Sequence, residues 1–252
     1  AKIHYRAQLH ITPDDADVLL DYGDLLVELG EQDLAKHQYR KALKLAPANP
    51  GPYLSLGELA LDEGKLEEAH RMLQMALRLD ADSPNAHATM AQVLLRQERV
   101  QDAAKHLVAG LKHCKDDPAM LQEYSRILLD AHLTRQANNV LKRLVRISPR
   151  DANAWHNLAV THFRMDDLDE GINVCRKALQ LQPEYPLALY NLALAHLKRG
   201  ETPEASLCVD EGLRLDPANE ALQDLTRQLN GRSGVLSRLR RRLSGLWPHK
   251  GQ

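Results

Sequence analysis

Proline recurs along this chain at a fixed interval of 34 residues. Counting in steps of 34 residues from Pro13 gives seven positions, which we call the grid. Five of them are proline, namely Pro13, Pro47, Pro149, Pro183 and Pro217, and the other two are Ala81 and Lys115. Because only about one residue in twenty is proline in ordinary proteins, chance does not explain the agreement. The register never shifts, so the repeats contain no insertions. A constant period of this length is the signature of a repeat architecture.

Other positions of the repeat are equally regular. A first column of small residues contains Gly23, Gly57, Ala91, Ser125, Ala159 and Ala193, and a second contains Ala35, Ala69, Ala103, Ala137, Gly171 and Ala205. A column of large apolar residues contains Tyr22, Leu56, Met90, Tyr124, Leu158 and Leu192. Small side chains let two helices approach to about 8–10 Å. Each repeat is therefore predicted to be two amphipathic helices, with a turn that glycine often marks (Gly30, Gly64 and Gly200).

The ends of the predicted helices have their own signals. Asn49-Pro50, Ser83-Pro84 and Asp117-Pro118 each place a good N-cap residue before a proline suited to the first helical position. The grid proline ends the second helix, because the residue before a proline is disfavoured in the α region. One helical hairpin cannot bury its apolar face alone, so neighbouring repeats are expected to stack.

The pattern resembles tetratricopeptide repeats. The segment AWHNLAVTHFRMDDLDEGINVCRKALQLQP, residues 154–183, follows the family pattern closely. The resemblance covers residues 1–231: a partial first repeat over 1–15, six full repeats over 16–219, and a capping helix over 218–230. It implies an all-α fold, a right-handed solenoid of antiparallel helix pairs, and a concave face that binds peptides or partner proteins.

In this family the first helix of each repeat lines the concave face, so exposed positions on those helices are candidate binding residues. We expect partner contacts from an acidic group and from a mixed group. The acidic group is Asp21, Asp24, Glu28, Glu58 and Asp62, and the mixed group is Arg126, His156, Asn157, Phe163, Arg164, Tyr190, Asn191 and Lys198. An acidic helix face that serves only to stay solvated is the alternative for the first group.

The charge along this face is uneven. Residues 14–82 contain 15 acidic and 7 basic residues, whereas residues 118–151 contain 6 basic and 3 acidic residues. We therefore expect a basic or amphipathic partner at the first repeats. The carboxylate clamp of chaperone-binding relatives needs basic first helices, so that mode is set aside here.

Asn157 and Asn191 occupy the same position of adjacent repeats. They resemble the asparagine ladder with which the repeats of O-linked N-acetylglucosamine transferases hold a peptide backbone, since an amide both donates and accepts hydrogen bonds. The equivalent residues of the other four repeats are Asp, Ser, Thr and Glu. The analogy therefore predicts a local site and not a continuous ladder.

The sequence contains no motif of catalysis or cofactor binding that we recognise. His162 and His196 share a column that we expect to pack between helices, and no histidine or cysteine pair has metal-site spacing. We therefore predict no enzyme activity, no metal and no cofactor. Three widely separated cysteines imply no disulfide framework and favour a reducing compartment. We expect a cytoplasmic protein, although a targeting signal preceding Ala1 would not be visible.

Residues 232–252 form a basic amphipathic tail. Arg238, Arg240, Arg241, Arg242 and Trp247 are its candidate binding residues, and its leucines have helical spacing. The tail has three alternative interpretations. It is solvated and binds nothing, it binds a membrane surface, or it binds an acidic groove of the same or another copy. Nucleic acid is the least favoured partner.

The leading hypothesis is a non-catalytic protein-interaction scaffold that binds a peptide or helix in its concave groove. A membrane-surface or nucleic-acid adaptor acting through the tail is a second hypothesis. A third is that the repeats select substrates for a larger enzyme.

Overall fold

The computed structural model describes residues 1–230, and every regular element in that range is an α-helix. The all-α prediction is confirmed. The helices are α1 (Lys2–Ile11), α2 (Ala16–Glu28), α3 (Gln32–Leu45), α4 (Pro50–Asp62), α5 (Leu66–Leu79), α6 (Pro84–Arg96), α7 (Val100–His113), α8 (Pro118–Asp130), α9 (Thr134–Ile147), α10 (Ala152–Arg164), α11 (Leu168–Leu181), α12 (Pro186–Arg199) and α13 (Thr202–Leu215). A further helix, α14, covers residues 220–230.

The chain divides into two compact units. Unit 1 covers Ala1–Leu133 and contains α1–α8; unit 2 begins at Thr134 and contains α9–α14. The boundary falls between the two helices of one 34-residue repeat. The candidate residues of the basic tail, Arg238, Arg240, Arg241, Arg242 and Trp247, lie outside the described residues.

The predicted N-caps are confirmed. The side chain of Asn49 accepts a hydrogen bond from the backbone N–H of Gly51, and that of Ser83 from the N–H of Ala86. Asp117 accepts from two backbone N–H groups of α8. In all three helices the proline after the cap is at the first helical position, where its missing N–H removes no helical hydrogen bond.

The turn between the two helices of a repeat uses one left-handed residue in every repeat. At Gly30, Gly64 and Gly200 φ is between 73° and 78°, a conformation that glycine adopts at low cost. The equivalent residues of the other three repeats also have positive φ, and these are Glu98, His132 and Asp166. The turn geometry is therefore common to all six repeats, although glycine marks only half of them.

Unit 1 buries its core between paired helices. At its beginning Tyr22, Leu26, Ala35, Tyr39 and Leu59 form one buried cluster. The small columns act as predicted, since an added Cβ at Gly57 would lie 2.8 Å from Leu73 Cγ. α1 packs on α2 through the stacked rings of Tyr5 and Tyr22, whose centroids are 5.8 Å apart.

Unit 2 uses the same arrangement and ends on α14. Leu222, Leu225 and Leu229 of α14 are buried with Ala205 and Val209 of α13. The side chain of Asn219 caps α14 by accepting a hydrogen bond from the N–H of Leu222. Unit 2 also contains a buried polar pair, in which Asn138 Nδ2 of α9 donates to Thr161 Oγ1 of α10 at 2.7 Å.

Candidate functional site

The first helices of unit 1 form a groove of about 530 Å³. Five carboxylates line it, and none of the described residues that line it is lysine, arginine or histidine. The five are Asp24, Glu28, Glu58, Asp62 and Glu123. Leu59, Leu61, Val27 and Met120 supply apolar surface beside them. The groove, which we call the acidic groove, therefore combines negative charge with apolar contact area.

Each carboxylate of the acidic groove comes from a first helix, because the repeat presents the same helix positions at every 34 residues. Asp24 is held in place by Tyr39 of α3, whose hydroxyl donates to Asp24 Oδ1 at 2.7 Å. Burial, together with the hydrogen bond to Asp24, raises the pKa of Tyr39, so the phenol keeps its proton and remains a donor.

Glu58 of α4 lines the acidic groove. Its side chain is exposed, yet the protein around the carboxylate partly desolvates it. This desolvation raises the pKa of Glu58; a hydrogen bond from Thr89 opposes the rise, and the nearby charges of Asp24 and Asp62 add to it. A positive charge bound in the groove would relieve this repulsion.

Two basic residues next to the acidic groove already bond to residues that line it. Arg126 of α8 donates to Glu123 at 2.6 Å and to Asp130 at 3.2 Å. Arg96 of α6 donates to the main-chain carbonyl of Leu61 at 2.6 Å. Arg126 was a candidate for partner contact, and in this structure its guanidinium balances two acids of its own helix.

The first helices of unit 2 present a hydrogen-bonded network in place of the carboxylates. Tyr185 Oη donates to Asn153 Oδ1 at 2.8 Å and lies 3.2 Å from His156 Nδ1. Asn191 Nδ2 donates to His156 Nε2 at 2.9 Å. These contacts assign the tautomer of His156: Nδ1–H donates to Tyr185, and Nε2 accepts from Asn191. Burial lowers the pKa of His156, which keeps the ring neutral and able to accept.

The network changes the role of His156. We expected its ring to contact a partner, but only 3% of His156 is exposed and both ring nitrogens are bonded within unit 2. Its ring instead bonds to the partly exposed amide of Asn191 and holds that amide in one orientation. Asn157, also partly exposed, is on the same helix as His156.

The other candidate residues have varied surroundings. Phe163 packs on Gly171, where an added Cβ would collide with its ring. Tyr190 packs against the buried cluster at the end of unit 2. Arg164 is exposed, and Lys198 is exposed and pairs with Asp166. Asp21 is exposed on α2, but it is not among the residues that line the acidic groove.

Among the groove residues that the sequence did not single out, two polar ones matter most for the chemistry of the groove, Tyr39 and Glu123. Tyr39 is on a second helix, and only the first helices were searched for binding residues. Glu123 is in the same repeat column as Asp21, so the column contained the signal. No group of three or more His, Cys, Asp and Glu in residues 1–230 is arranged to hold a metal ion.

Comparison with known proteins identifies the family. The model of the cilia and flagella-associated protein 70 C-terminal domain matches residues 1–178, and a tetratricopeptide-repeat model matches residues 162–229. The chain belongs to the tetratricopeptide-repeat family of the cilia and flagella-associated protein 70 C-terminal domain. A search of curated proteins gave no match.

Solved structures of other tetratricopeptide-repeat proteins have the same fold. PilW, a type IV pilus biogenesis factor, matches with a TM-score of 0.69 and 16% identity, over 84% of this chain and 98% of that one. A chain of the APC/C hetero-tetramer Cut9-Hcn1 matches with a TM-score of 0.65 and 16% identity, over 90% of this chain. This chain spans only 45% of that Cut9-Hcn1 chain.

YrrB, described as a tetratricopeptide-repeat protein with an unusual peptide-binding site, matches with a TM-score of 0.53 and 17% identity, over 88% of this chain and 97% of YrrB. At these identities the likeness concerns the fold alone. Among residues 1–230, no helix of this family member is long and apolar enough to cross a membrane.

Proposed function

We propose that this tetratricopeptide-repeat protein is a non-catalytic scaffold whose acidic groove binds a basic amphipathic helix or peptide of a partner protein. The fold is that of protein-interaction scaffolds. The observation that supports the finer proposal is the composition of the acidic groove: five carboxylates with apolar residues beside them, and no lysine, arginine or histidine among the described residues that line it. An amphipathic helix offers the complement, a basic stripe beside an apolar one.

Charge and shape support this choice of partner. Carboxylates arranged along successive first helices attract lysine and arginine at a distance and fix the register of a bound helix. Desolvation and then the charges of Asp24 and Asp62 raise the pKa of Glu58, and an acidic partner would add to that charge repulsion. The cytoplasm is the proposed location, since none of the three cysteines, all within the described residues, forms a disulfide.

The test measures binding of a synthetic leucine–lysine amphipathic peptide of about four helical turns by isothermal titration calorimetry. In the variant Glu28→Lys/Asp62→Lys we expect binding to weaken at least about tenfold, because two attractive charges become repulsive. Glu28 and Asp62 suit this purpose because both are exposed, so their replacement leaves the core unchanged.

The matched control is Asp33→Lys/Glu67→Lys. These two exposed residues share a repeat column on the second helices α3 and α5, outside the acidic groove. The control makes the same change in net charge, and we expect it to weaken binding by about twofold or less. Equal losses in the two variants would mean that the peptide responds to net charge only, and the proposal would be wrong.

A second candidate surface is the amide-bearing face of unit 2. Asn157 and Asn191 are partly exposed there, and His156 holds the Asn191 amide in one orientation. We propose that this face binds the main chain of an extended peptide, since amides recognise peptide groups without regard to side-chain sequence. Asn191→Ala should weaken binding of an uncharged peptide there by about tenfold, and no change would overturn this second proposal.

A further inference from the structure

A second groove of unit 1 lies on its second helices. It has a volume of about 420 Å³ and is bounded by α5 and α7, with α6 at its floor. Residues of α6 two positions apart face the two grooves: Ala88 and Gln92 line the acidic groove, whereas Met90 and Leu94 line the second one. Because residues two apart point to nearly opposite sides of a helix, the two grooves open on different faces of unit 1.

The second groove is basic. Three cationic side chains line it: Arg78 of α5, Arg99 at the N-cap of α7, and Lys105 of α7. Asp102 is the one acidic residue among the described residues that line it. Arg99 Nη2 and Lys105 Nζ each donate to Asp102, at 2.8 and 2.9 Å. One carboxylate balances one of the three charges, so an excess of two positive charges remains.

Two imidazoles, those of His70 and His106, line this groove, and a third, that of the buried His87, bonds to His106. His87 Nε2 lies 3.0 Å from the main-chain carbonyl of Ala81, so that nitrogen donates. His87 Nδ1 must then accept from His106 Nδ1–H, 2.9 Å away. Nε2 of His106 is consequently free of that pair and can take a proton without breaking it. His70 Nδ1 is buried with no hydrogen-bond partner, so it lacks the compensation that buried polar atoms normally have.

The repeat pattern does not require these residues. Three repeats later the equivalent groove of unit 2 has Glu201 in place of Arg99 and Glu204 in place of Asp102. Cys208 replaces His106, and Leu207 replaces Lys105. In that groove three acids, Asp169, Glu201 and Glu204, outnumber the two arginines. The positive charge is therefore a property of one groove and not of the fold.

We propose that the groove between α5 and α7 is a binding site for an acidic peptide segment of a partner protein. Carboxylates of that segment pair with Arg78, Lys105 and His106, and its apolar side chains contact Leu77, Met90 and Leu94 at the floor. Asp102 shows that carboxylate oxygens fit between these cations, since Arg99 and Lys105 already hold one there.

Protonation of the His106 ring makes binding at this site depend on pH. Burial lowers the pKa of His106, and the nearby His87 and His70 lower it further. The ring is therefore mostly neutral near pH 7. The charged and titratable groups that face it are His70 and Arg78 on α5, His87 on α6, and Arg99, Asp102 and Lys105 on α7. A bound carboxylate stabilises the protonated ring, so binding should take up a proton and tighten as pH falls from 7 toward 6.

The experiment titrates the full chain with a short synthetic peptide in which glutamate alternates with leucine, and with the same peptide containing glutamine. We expect the glutamate peptide to bind at least about tenfold more tightly. Arg78→Glu/Lys105→Glu should remove most of that preference. The control Arg71→Glu/Lys112→Glu changes the same two repeat columns by the same charge, at exposed residues outside the groove, and should retain it.

Further measurements keep the proposal falsifiable if the charge-reversed variant folds poorly. In the unaltered chain, NMR should show the imidazole resonances of His106 shifting on peptide addition and titrating at higher pH. Equal binding of the two peptides, equal losses in both double variants, or an unchanged His106 would each overturn the proposal. Tighter binding of a phosphoserine peptide than of the glutamate peptide would overturn the choice of carboxylate.

Discussion

The first-helix faces of unit 1 and unit 2 are built on the same repeat columns but present different chemistry. In unit 1 five carboxylates line one groove, and desolvation, with a smaller contribution from the charges of Asp24 and Asp62, raises the pKa of Glu58. In unit 2 the face presents amides, and a neutral histidine bonds to one of them and to a tyrosine. The difference shows that the fold determines where side chains lie, whereas a few column positions decide what they attract.

The two faces should therefore recognise partners by different physics. Charges act over a distance of about 10 Å in ordinary salt, so the acidic groove attracts a partner before contact. The network of unit 2 has little net charge, and its amides act only within hydrogen-bond distance. Four predictions test this contrast, beginning with the largest expected effect.

Thr161→Val should destabilise unit 2 by about 1–3 kcal/mol, because the buried Asn138 amide loses its acceptor. Valine has nearly the shape of threonine, so the loss measures the hydrogen bond and not a cavity. Denaturant unfolding followed by circular dichroism gives the change in free energy.

The matched variant is Ile127→Val, in the same repeat column of unit 1, where the buried side chain is apolar. It should cost about 1 kcal/mol through one lost methylene group. A cost for Thr161→Val smaller than that for Ile127→Val would show that unit 2 does not depend on this buried polar pair.

Added salt should weaken binding to the acidic groove by about tenfold more than binding to the unit 2 face, a difference of about 1.4 kcal/mol in binding free energy. Raising NaCl from about 50 mM to about 500 mM should weaken binding of the leucine–lysine peptide to the acidic groove by about that factor. Binding of an uncharged peptide to the unit 2 face, followed by the side-chain NMR signal of Asn191, should change by less than about twofold. Equal salt sensitivity would remove the distinction.

Tyr185→Phe should destabilise unit 2 by about 1 kcal/mol, because His156 Nδ1–H loses its acceptor and Asn153 loses a donor. The expected accompanying change is a shift in the NMR signals of the Asn191 amide, since His156 no longer has a fixed orientation. An unchanged Asn191 signal would indicate that the network does not position this amide.

Glu58→Gln should stabilise unit 1 slightly near pH 7, by about 0.5 kcal/mol after allowing for solvent screening. The pKa of Glu58 is raised in the folded state, so folding favours the protonated form. The contribution of Glu58 to the stability of unit 1 is therefore fully present below pH 4.5, its ordinary pKa, and is lost as pH rises through the raised pKa of the folded state. The benefit of glutamine should disappear below pH 4.5; a benefit that persists there in thermal unfolding experiments would assign it to another cause.

The turns within the repeats share one backbone conformation even where the sequence has no glycine to predict it. Glycine at three turns predicted a sharp bend there, and the structure confirms a left-handed residue at each. Glu98, His132 and Asp166 adopt the same conformation without glycine. The left-handed conformation costs each of these residues about 1–2 kcal/mol. Packing of the helices on both sides of the turn offsets that cost. No local sequence signal reports that balance.

The repeat columns predicted where some candidate residues lie, and their role in binding a partner stays a prediction. Asp24, Glu28, Glu58 and Asp62 were selected as exposed first-helix acids, and they line one groove. His156 was selected by the same rule and is buried, because Tyr185 and Asn191 of the next repeat cover it. A repeat column specifies the direction of a side chain but not the size of the neighbour that lies over it.

The sequence by itself determined the all-α class, the 34-residue period, the helix caps and the acidic bias of the first repeats, since each of these depends on local propensity or on counting along one chain. Only the tertiary structure decided that Tyr39 holds Asp24, that Asn138 pairs with Thr161, and that His106 donates a hydrogen bond to His87 beside three cations. These contacts join residues from different helices at 15 to 23 positions apart. Their existence depends on ångström-scale packing between helices, which the spacing of residue types does not specify.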